Sequence, residues 1–437
     1  MRSALAAPLA LLLGACQGAG DPRPSGAPAE VAAPPVLETP PPALEAAPPD
    51  DEPAAPAANP AVWITGDVLL SEAVRDSMNA TDDPAGAYAE VLAPIRRLWD
   101  ADPGGFVLVN LETPVARIRR RALDSAEPVS RGFTPVYLQG PPWLPEALAR
   151  AGVDGVMLAN NHALDQEREG LAETIASCER AGLVVTGAGH HPQHRWPIVL
   201  GDEERPGGSL AVLAFYDAHD KFWVDPGEAA RSFLDEEAPD LVARAAERHR
   251  VVVVVHFVGE LREVPLQRWR QRVDRLIAAG ADAIIAHGTH VPMRVERVQG
   301  VPVAWGLGNF VADMGRQANP RHHGEDLPKI RSPKTREGLV ARVELRDGEL
   351  ELSFLPTWSG DDRFVRWHAG LPGEEVAFTL SPLSACGRAL ELPAAWPEPW
   401  RGEVADWIDR RRDHLVRVSG LVPRDCREGE PTWLELP

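Results

Sequence analysis

Residues 266–290, LQRWRQRVDRLIAAGADAIIAHGTH, predict a helix, a strand and a polar strand end in one run. Four apolar residues at helical spacing predict an amphipathic helix with one buried face: Leu266, Trp269, Val273 and Leu276. Gly280 follows at a point where helices commonly end in a left-handed residue. The next apolar run, AIIA, predicts a buried strand, and His287 and His290 come directly after it. A helix followed by a buried strand is typical of an α/β fold.

The same succession occurs elsewhere in the chain. PEALARAG, ending at Gly152, precedes VDGVMLANNH, and LAETIASCERAG, ending at Gly182, precedes LVVTGAG. Four more apolar runs predict strands: AVWIT (61–65), GFVLV (105–109), SLAVLAFY (209–216) and VVVVVHF (251–257). After Gly300 apolar and polar residues alternate, and Asp347-Gly348 between two such runs predicts an antiparallel hairpin. We therefore expect an α/β fold with mixed sheets, parallel early in the chain and antiparallel late.

The first residues indicate an export signal. Arg2 precedes the apolar run ALAAPLALLLG (4–14), which is too short to span a bilayer and has the length of a signal-peptide core. The run ends in LGAC, which is similar to the lipobox of bacterial lipoproteins, so residues 1–16 would be the signal segment and Cys16 would be lipidated. The alternative is an ordinary secretory signal with a chance cysteine. A lipid at Cys16 would make the membrane a partner and place the protein in the cell envelope.

Residues 17–60 are rich in proline, alanine and acidic residues. Such a composition lacks the apolar surface needed for folding, and its prolines favour extended segments, so it predicts a disordered, semi-stiff linker. We expect the folded domain over residues 61–360 and a C-terminal extension over residues 361–437. In the extension, Cys386 and Cys426 either form a disulfide in an oxidising compartment or remain two unpaired thiols.

The chain of 437 residues has a formal net charge of −19, from 64 acidic and 45 basic residues. This balance opposes binding to nucleic acid, which depends on basic patches that neutralise phosphates. It also provides no general attraction for an anionic polymer. An anionic ligand would therefore need a local positive charge, such as a metal ion.

Polar residues follow five of the predicted strands, at the point where each strand ends. They are Asp67, Glu112, Asn161, His162, His256, His287 and His290. The carboxyl ends of the strands form the edge at which open α/β sheets bind ligands. One such residue alone is more often a cap or a hydrogen-bonded core residue. Five strand ends with the same chemistry indicate a functional site.

The chemistry of these seven residues suits metal binding. Carboxylates, an amide oxygen and imidazoles form a mixed oxygen and nitrogen set, which suits Mn, Fe or Zn better than Ca or Mg. Seven candidates are too many for one tetrahedral ion, so we expect two divalent metal ions with a bridging carboxylate. Such a pair clamps an in-line displacement at phosphorus. A histidine left free of metal would serve as general acid.

Six motifs occur in an order and spacing that resembles the bacterial capsule-synthesis CapA family: GDVLLSEAV, VNLETPV, ANNHALDQEREGLAET, VVVVHFVGEL, AHGTHVPMRVE and GLGNFVAD. The resemblance covers roughly residues 61–356. It implies a four-layer α/β/β/α sandwich like that of the calcineurin-like metallophosphoesterases. It also implies a link to poly-γ-glutamate capsule synthesis, with polyglutamate or another envelope polymer as a partner.

The resemblance further implies roles for individual residues. The metal ligands would be Asp67, Glu112, Asn161, His256, His287 and His290. His162 would be the general acid, and Asp165 would orient it. The residues that support these groups would be Asn160, Glu260 and Asn309.

The chain departs from the metallophosphoesterase pattern at several points, and two of them bear on its function. Leu69 stands where those enzymes carry a histidine, and His287 and His290 are further apart than their usual pair. Two functions therefore remain open. The first is an envelope-anchored, metal-dependent hydrolase of phosphoester or amide linkages. The second is a non-catalytic component that binds polymer or takes part in assembly during capsule synthesis, and the two departures favour it.

Overall fold

Two β-sheets lie face to face at the centre of the computed structural model. The structure describes residues 59–70, 72–119, 137–189, 192–205, 207–217, 237–323, 327–371 and 377–437. Cys16 and the predicted signal segment lie outside these residues, as does nearly all of the predicted linker. The division between residues 61–360 and 361–437 stays a prediction.

Sixteen strands occur among these residues: β1 (Ala61–Leu69), β2 (Gly105–Leu111), β3 (Gly155–Met157), β4 (Val184–Thr186), β5 (Ile198–Gly201), β6 (Ser209–Asp217), β7 (Arg250–Phe257), β8 (Ala283–His287), β9 (Val295–Val298), β10 (Val301–Ala304), β11 (Asn309–Ala312), β12 (Glu337–Arg346), β13 (Glu349–Asp361), β14 (Phe378–Pro382), β15 (Val422–Pro423) and β16 (Leu434–Glu435). Eight α-helices occur among them: α1 (Glu72–Asn79), α2 (Pro84–Trp99), α3 (Leu144–Arg150), α4 (Glu167–Arg180), α5 (Glu237–Ala246), α6 (Gln267–Ala278), α7 (Arg363–Ala369) and α8 (Trp400–Ser419). Short 3-10 turns lie at Pro192–Arg195, Lys329–Arg331 and Pro333–Arg336.

Both sheets are mixed. The first has the order β15-β16-β13-β12-β1-β2-β3-β4, with β11 also paired to β1 and β14 to β13. Its strands from the first half of the chain are parallel, whereas β12 to β16 form antiparallel pairs. The second has the order β5-β6-β7-β8-β10-β9, parallel at its centre and antiparallel at both edges. The predicted mixed α/β fold is therefore confirmed.

Three buried apolar clusters separate four layers. The cluster between the sheets contains Val62 and Ile64 of β1 together with Val252 and Val254 of β7. Trp63, between those two β1 residues, lies on the other face of the first sheet, in a cluster shared with α1 to α4. The outer face of the second sheet packs against α5 and α6. Successive strand residues point to opposite faces, so one strand serves two layers. The predicted four-layer α/β/β/α sandwich is confirmed.

Two local predictions are also confirmed. The helix predicted before Gly280 is α6, and β8 follows it and ends at His287. Gly280 has a φ of 104°, the left-handed backbone that glycine adopts without strain. Asp347 and Gly348 join β12 to β13, with φ values of 52° and 82°. Positive φ at both central residues is what a tight two-residue hairpin turn requires.

The residues after β13 contribute to the first sheet and to a small core of their own. β14 and β16 pair with β13. Val365 of α7 and Val404, Trp407 and Ile408 of α8 are buried together with Trp358 of β13. The sequence signalled the helix within residues 403–416, and α8 extends beyond that range at both ends.

The described residues contain one disulfide and one free, buried cysteine. Cys386 and Cys426 form a disulfide with their Cα atoms 5.9 Å apart, so the paired alternative holds. Cys178 of α4 is a buried free thiol, as its place on an apolar helix face predicts. None of the helices in the described part of the chain has both the length and the apolar character that crossing a membrane requires.

Candidate metal centre

Asp67 reaches the candidate metal centre at the end of β1, because β1 passes close to Gly308 there. A side chain at Gly66 would collide with the carbonyl oxygen of Gly308, so glycine is needed there. The backbone N–H of Asp67 donates to that same oxygen at 3.0 Å. The register of β1 against β2 and β11 shifts at this point. The carboxylate of Asp67 is fully buried and meets histidines from the second sheet.

Asp67, Glu112 and His290 form a buried triad whose ligand atoms all lie within 4.8 Å of one another. Nδ1 of His290 lies 3.2 Å from Oδ2 of Asp67 and 3.9 Å from Oε2 of Glu112. His287 adds a second imidazole, with its Nδ1 3.3 Å from Oδ1 of Asp67. Carboxylates and imidazoles at this spacing are a donor set that can hold a divalent metal ion.

Several atoms of the centre are buried without a hydrogen-bond partner in the described part of the chain. They include both carboxylate oxygens of Glu112 and Nε2 of His287, and Oδ1 of Asn161, a predicted ligand, is likewise buried without a partner. Most buried polar atoms in proteins are paired, because each unpaired one costs about 1–3 kcal/mol, and a charged one costs more. A cation would satisfy acceptor atoms of this kind. The residues present therefore fit a metal ion.

Burial and mutual charge shift the pKa values of the triad. Burial raises the pKa of Glu112 to about 7. Burial would raise the pKa of Asp67 too, but the imidazoles of His287 and His290 hold it well below its usual range. Burial would lower the pKa of His290, yet the carboxylates of Glu112 and Asp67 raise it to about 9. An ion bound here would have to displace a proton, so metal binding and proton release are linked.

Asn110, a residue that we did not predict, connects three of the predicted ones. Its Nδ2 donates to Oδ1 of Asp67 at 2.7 Å and lies 3.2 Å from Nδ1 of His256. Its Oδ1 accepts a hydrogen bond from Nδ2 of Asn160 at 3.1 Å. Oδ1 of Asn160 in turn accepts the backbone N–H of His162 at 3.1 Å. The available signal was the position of Asn110 at the end of β2, beside a predicted ligand.

His256 lies beside the triad in an uncharged form. Burial lowers the pKa of His256 to about 3. Its Nε2 is 3.6 Å from Oε1 of Glu112. A side chain at Gly288, where φ is 85°, would collide with the carbonyl oxygen of Phe257 and would lie 2.7 Å from Nε2 of His256. Glycine therefore lets the ends of β7 and β8 come this close together.

His162 and Asp165 form a hydrogen-bonded pair at the edge of the centre. Nδ1 of His162 lies 2.7 Å from Oδ2 of Asp165, and its Nε2 lies 3.9 Å from Oε1 of Glu112. The same Asp165 oxygen accepts the backbone N–H of Leu138 at 2.6 Å, which fixes the carboxylate. The His162 side chain is 16% exposed, so a ligand can reach it. Burial would lower the pKa of His162, but Asp165 raises it above its usual value.

The remaining predicted residues lie on two sides of the triad. Oδ1 of Asn309 is 3.1 Å from Nδ1 of His290, and its Nδ2 donates to the carbonyl oxygen of Thr335 at 2.8 Å. Glu260 lies on the loop after β7 and accepts a hydrogen bond from Lys329 at 2.8 Å. Asn309 thus contacts the triad directly, whereas Glu260 lies on a loop whose Leu261 N–H donates to the carbonyl oxygen of Thr289, beside His290. The role of each ligand and the number of ions stay predictions.

Two curated relatives resemble the chain in sequence. The PGA biosynthesis protein CapA of Bacillus subtilis is 31% identical over 160 residues, which is 36% of this chain and 42% of that protein. A probable polyglutamine synthesis accessory protein of Mycobacterium tuberculosis is 26% identical over 261 residues, which is 57% of this chain and 65% of that protein. The chain thus spans less than two thirds of the length of each relative.

Among solved structures, the sulfate thiohydrolase SoxB of Thermus thermophilus in complex with glycerol is similar at a TM-score of 0.39 and 14% identity. The similarity covers 83% of this chain and 62% of that one, and it is too low for a comparison of sites. The sequence model of the family described as bacterial capsule synthesis protein PGA_cap matches residues 61–314, more than half of the chain, and includes the whole triad. The chain therefore belongs to the bacterial capsule synthesis protein family PGA_cap.

Proposed function

We propose that the protein is a metal-dependent hydrolase of the cell envelope that cleaves phosphoester or amide linkages during capsule or poly-γ-glutamate synthesis. The observation that carries the proposal is the state of Glu112. Its carboxylate is fully buried beside Asp67 and His290, and in the described part of the chain neither oxygen has a hydrogen-bond donor. A structural carboxylate at such depth would be paired, because an unpaired buried charge is strongly destabilising.

The triad and its neighbours would provide the metal ligands of such a site. Asp67, Glu112 and His290 would hold an ion, and His287 and Asn161 offer further donor atoms. When bound, a divalent ion polarises a phosphoryl or carbonyl oxygen as a Lewis acid. We propose Mn, Fe or Zn as the metal and two ions as the content, because seven donors exceed the needs of one.

His162 would supply the proton that the leaving group requires. Because its Nδ1 is hydrogen-bonded to Asp165, Nε2 is the ring atom that faces the triad. The raised pKa of His162 favours the doubly protonated ring, which carries a proton on that atom. The proton would pass from Nε2 to the departing oxygen or nitrogen, as in general acid catalysis. Asp165 keeps the ring in this orientation.

The names of the relatives support a role in making an envelope polymer. They refer to PGA biosynthesis and to polyglutamine synthesis. We therefore propose polyglutamate or another envelope polymer as the partner. The location in the cell envelope rests on the predicted signal segment and on lipidation of Cys16.

The alternative is a non-catalytic component that binds polymer or takes part in its assembly. Leu69 favours it, because an apolar side chain there leaves fewer donors for a second ion than a histidine would. The word "accessory" in the name of the mycobacterial relative is also consistent with it.

The two functions are separated by metal content and turnover, measured on the full-length chain in detergent. Glu112→Gln removes the central carboxylate charge, and Glu90→Gln makes the same change at an exposed position of α2. A hydrolase would carry about one or two equivalents of metal and cleave a phosphodiester or an amide of glutamate. Glu112→Gln would abolish both properties, whereas Glu90→Gln would change neither. Wild-type protein without metal would contradict the hydrolase, and bound metal without turnover would favour the alternative.

A further inference from the structure

Lysine is rare in this chain. Only three of its 45 basic residues are lysines: Lys221, Lys329 and Lys334. Lys221 lies outside the described residues, and the other two lie between β11 and β12, beyond the family match that ends at residue 314. Arginine forms fixed, planar, bidentate pairs, whereas lysine carries a compact charge on a mobile stem. Two lysines in one short segment therefore need a physical explanation.

Both lysines pair with glutamates of the loop between β7 and α6. Nζ of Lys329 lies 2.8 Å from Oε1 of Glu260, and Nζ of Lys334 lies 2.5 Å from Oε1 of Glu263. The backbone N–H of Leu261 donates to the carbonyl oxygen of Thr289 at 2.8 Å, next to His290. The loop is thus held against the metal centre. Two ion pairs connect it to the segment between β11 and β12 that contains Lys329 and Lys334, which we call the lysine segment.

The first ion pair lies near the metal centre, because Glu260 immediately precedes Leu261, whose backbone N–H is hydrogen-bonded to Thr289 beside His290. The side chains of Lys329 and Glu260 are 41% and 55% exposed, so solvent and ligands can reach both.

The second ion pair faces the C-terminal helix instead. The Lys334 side chain is only 15% exposed. Oε1 of its partner Glu263 lies 4.0 Å from Nε2 of His414 in α8. Two pairs of the same chemistry, joining the same loop to the same segment, therefore have different surroundings. The second pair provides a matched control for the first.

A charged residue in an exposed ion pair can easily exchange its partner for another one. Such pairs contribute only about 0–1 kcal/mol to stability, because water and salt screen both charges. Glu112 and Asp165 are buried in the centre and Glu260 lies on the loop beside it, so the site carries several carboxylates in a chain of net charge −19. An incoming anion would be repelled by these carboxylates, and it would be attracted by a bound ion, by protonated His162 and, in the described loops beside the centre, by Lys329.

We propose that Lys329 is a specificity-determining residue that binds an oxyanion, a phosphate or a carboxylate, of a ligand held at the metal centre. In the absence of this ligand Lys329 is paired with Glu260, and the ligand displaces Glu260 when it binds. The inference rests on the proposed function, because it places the ligand at the triad. It explains why a mobile lysine, able to change partner, stands here in a chain that uses arginine almost everywhere else.

The test is anion binding by the full-length protein in detergent with Mn²⁺ bound, measured by titration calorimetry. Inorganic phosphate and acetate are the two probes, and the one whose affinity depends on Lys329 identifies the kind of oxyanion. Lys329→Gln should weaken binding of that probe about tenfold, the loss expected for one charge-assisted hydrogen bond. Glu260→Gln should tighten it several-fold, because the competing carboxylate is gone. Lys334→Gln and Glu263→Gln should leave it within about twofold.

The opposite signs at Lys329 and Glu260 distinguish ligand binding from a structural role. If the pair only held the loop in place, both substitutions would weaken anion binding alike, and that result would overturn the inference. Equal affinity of wild type and Lys329→Gln for both probes, with Mn²⁺ binding intact, would overturn it and leave the proposed function standing. Wild-type protein that binds no Mn²⁺ would overturn both.

Discussion

His290 combines backbone strain with a buried charge. Its φ of 58° lies in the left-handed region, which costs a residue other than glycine about 1–3 kcal/mol. Its ring nitrogen contacts Asp67 and Asn309, and the backbone N–H of Gly288 donates to Oδ2 of Asp67 at 3.3 Å. Strained residues of this kind persist where their surroundings fix them, and they cluster at functional sites. This backbone conformation directs the imidazole of His290 towards the carboxylates of Asp67 and Glu112.

Metal affinity should rise with pH because of this arrangement. The pKa of His290 is raised to about 9 and that of Glu112 to about 7, so both hold protons near neutrality that an ion must displace. Binding of Mn²⁺ should be at least about tenfold tighter at pH 8 than at pH 6. Titration calorimetry in buffers of different ionisation enthalpy measures both the affinity and the protons released. Affinity that does not change between these pH values would contradict the expected linkage.

Asp165→Asn should lower the pKa of His162, since it removes the negative charge of the carboxylate beside Nδ1 while leaving a side chain of similar shape. The titration of a labelled His162 ring, followed by NMR and assigned with His162→Gln, measures this pKa without reference to activity. Asp154→Asn is the control, because Asp154 accepts the backbone N–H of Val107 at 2.8 Å and belongs to a different contact. An unchanged His162 pKa in Asp165→Asn would refute the orienting role.

The sequence predicts the members of the centre better than their contacts. Asp67, Glu112 and His290 each follow an apolar run, so local patterning places them at one sheet edge. Asn110 also stands at a strand end, but an amide inside the run GFVLVNL does not differ visibly from a capping residue. Lys329 lies on a turn outside every motif, and only the packing of two distant loops brings it to Glu260.

At the scale of elements, local units were predictable and their partners were not. The succession of α6, Gly280 and β8 and the hairpin at Asp347 depend on neighbouring residues, so periodicity and turn chemistry are sufficient. The pairing of β11 and β12 with β1 joins segments more than two hundred residues apart. Such pairing is decided by which apolar faces are buried together. Periodicity within one segment does not contain that information.

The β12–β13 hairpin contains a carboxylate whose contribution to stability depends on pH. Glu344 lies in β12 and accepts hydrogen bonds from Arg342, Arg346 and Asn59 at 2.6 to 3.0 Å. Burial would raise the pKa of Glu344, but these partners, Arg342 first, lower it to about 2. A folded-state pKa below the unfolded value stabilises the fold above about pH 4.5, and this contribution is lost as the pH falls towards 2.

Glu344→Gln should therefore destabilise the protein at pH 7 and have little effect near pH 2. We expect a loss of about 1–2 kcal/mol in the free energy of unfolding at pH 7, after allowance for solvent screening. Urea unfolding at several pH values measures it. Glu351→Gln, at a 55% exposed partner of Arg346, should change stability by less than about 0.5 kcal/mol. A deficit of equal size at pH 7 and pH 3 would rule out the ionic explanation.

At the scale of the whole molecule, the C-terminal residues hold the segment between β11 and β12, which contains Lys329 and Lys334. Arg363 of α7 forms a two-pronged pair with Asp313, just after β11, at 2.7 and 3.0 Å. Arg411 of α8 is hydrogen-bonded to Glu337 at the start of β12. The lysine segment runs between these two anchored points. The extension, for which the sequence offered no motif, thus fixes both ends of the segment that contains Lys329.

The disulfide of the extension should contribute measurably to this support. Cys386 and Cys426 are 40 residues apart and enclose α8. Cross-linking a loop of this size stabilises a fold by about 2–4 kcal/mol, mainly by restricting the unfolded chain. Reduction should therefore lower the melting temperature by several degrees, measured by circular dichroism, and Cys386→Ser should reproduce the loss. Cys178→Ser keeps the disulfide and should still lose melting temperature on reduction, whereas a Cys386→Ser variant that remains sensitive to reductant would contradict the assignment.

Lipidation of Cys16 would decide where this acidic molecule works. A chain of net charge −19 has no electrostatic attraction to anionic lipid, so the membrane would be reached through the acyl chains alone. Cys16→Ser should therefore move the protein from the membrane fraction to the soluble fraction of the cell envelope, detected by immunoblotting. Cys426→Ser removes a cysteine without touching the lipobox and should leave the protein in the membrane fraction. Membrane recovery of Cys16→Ser equal to that of wild type would refute lipid anchoring.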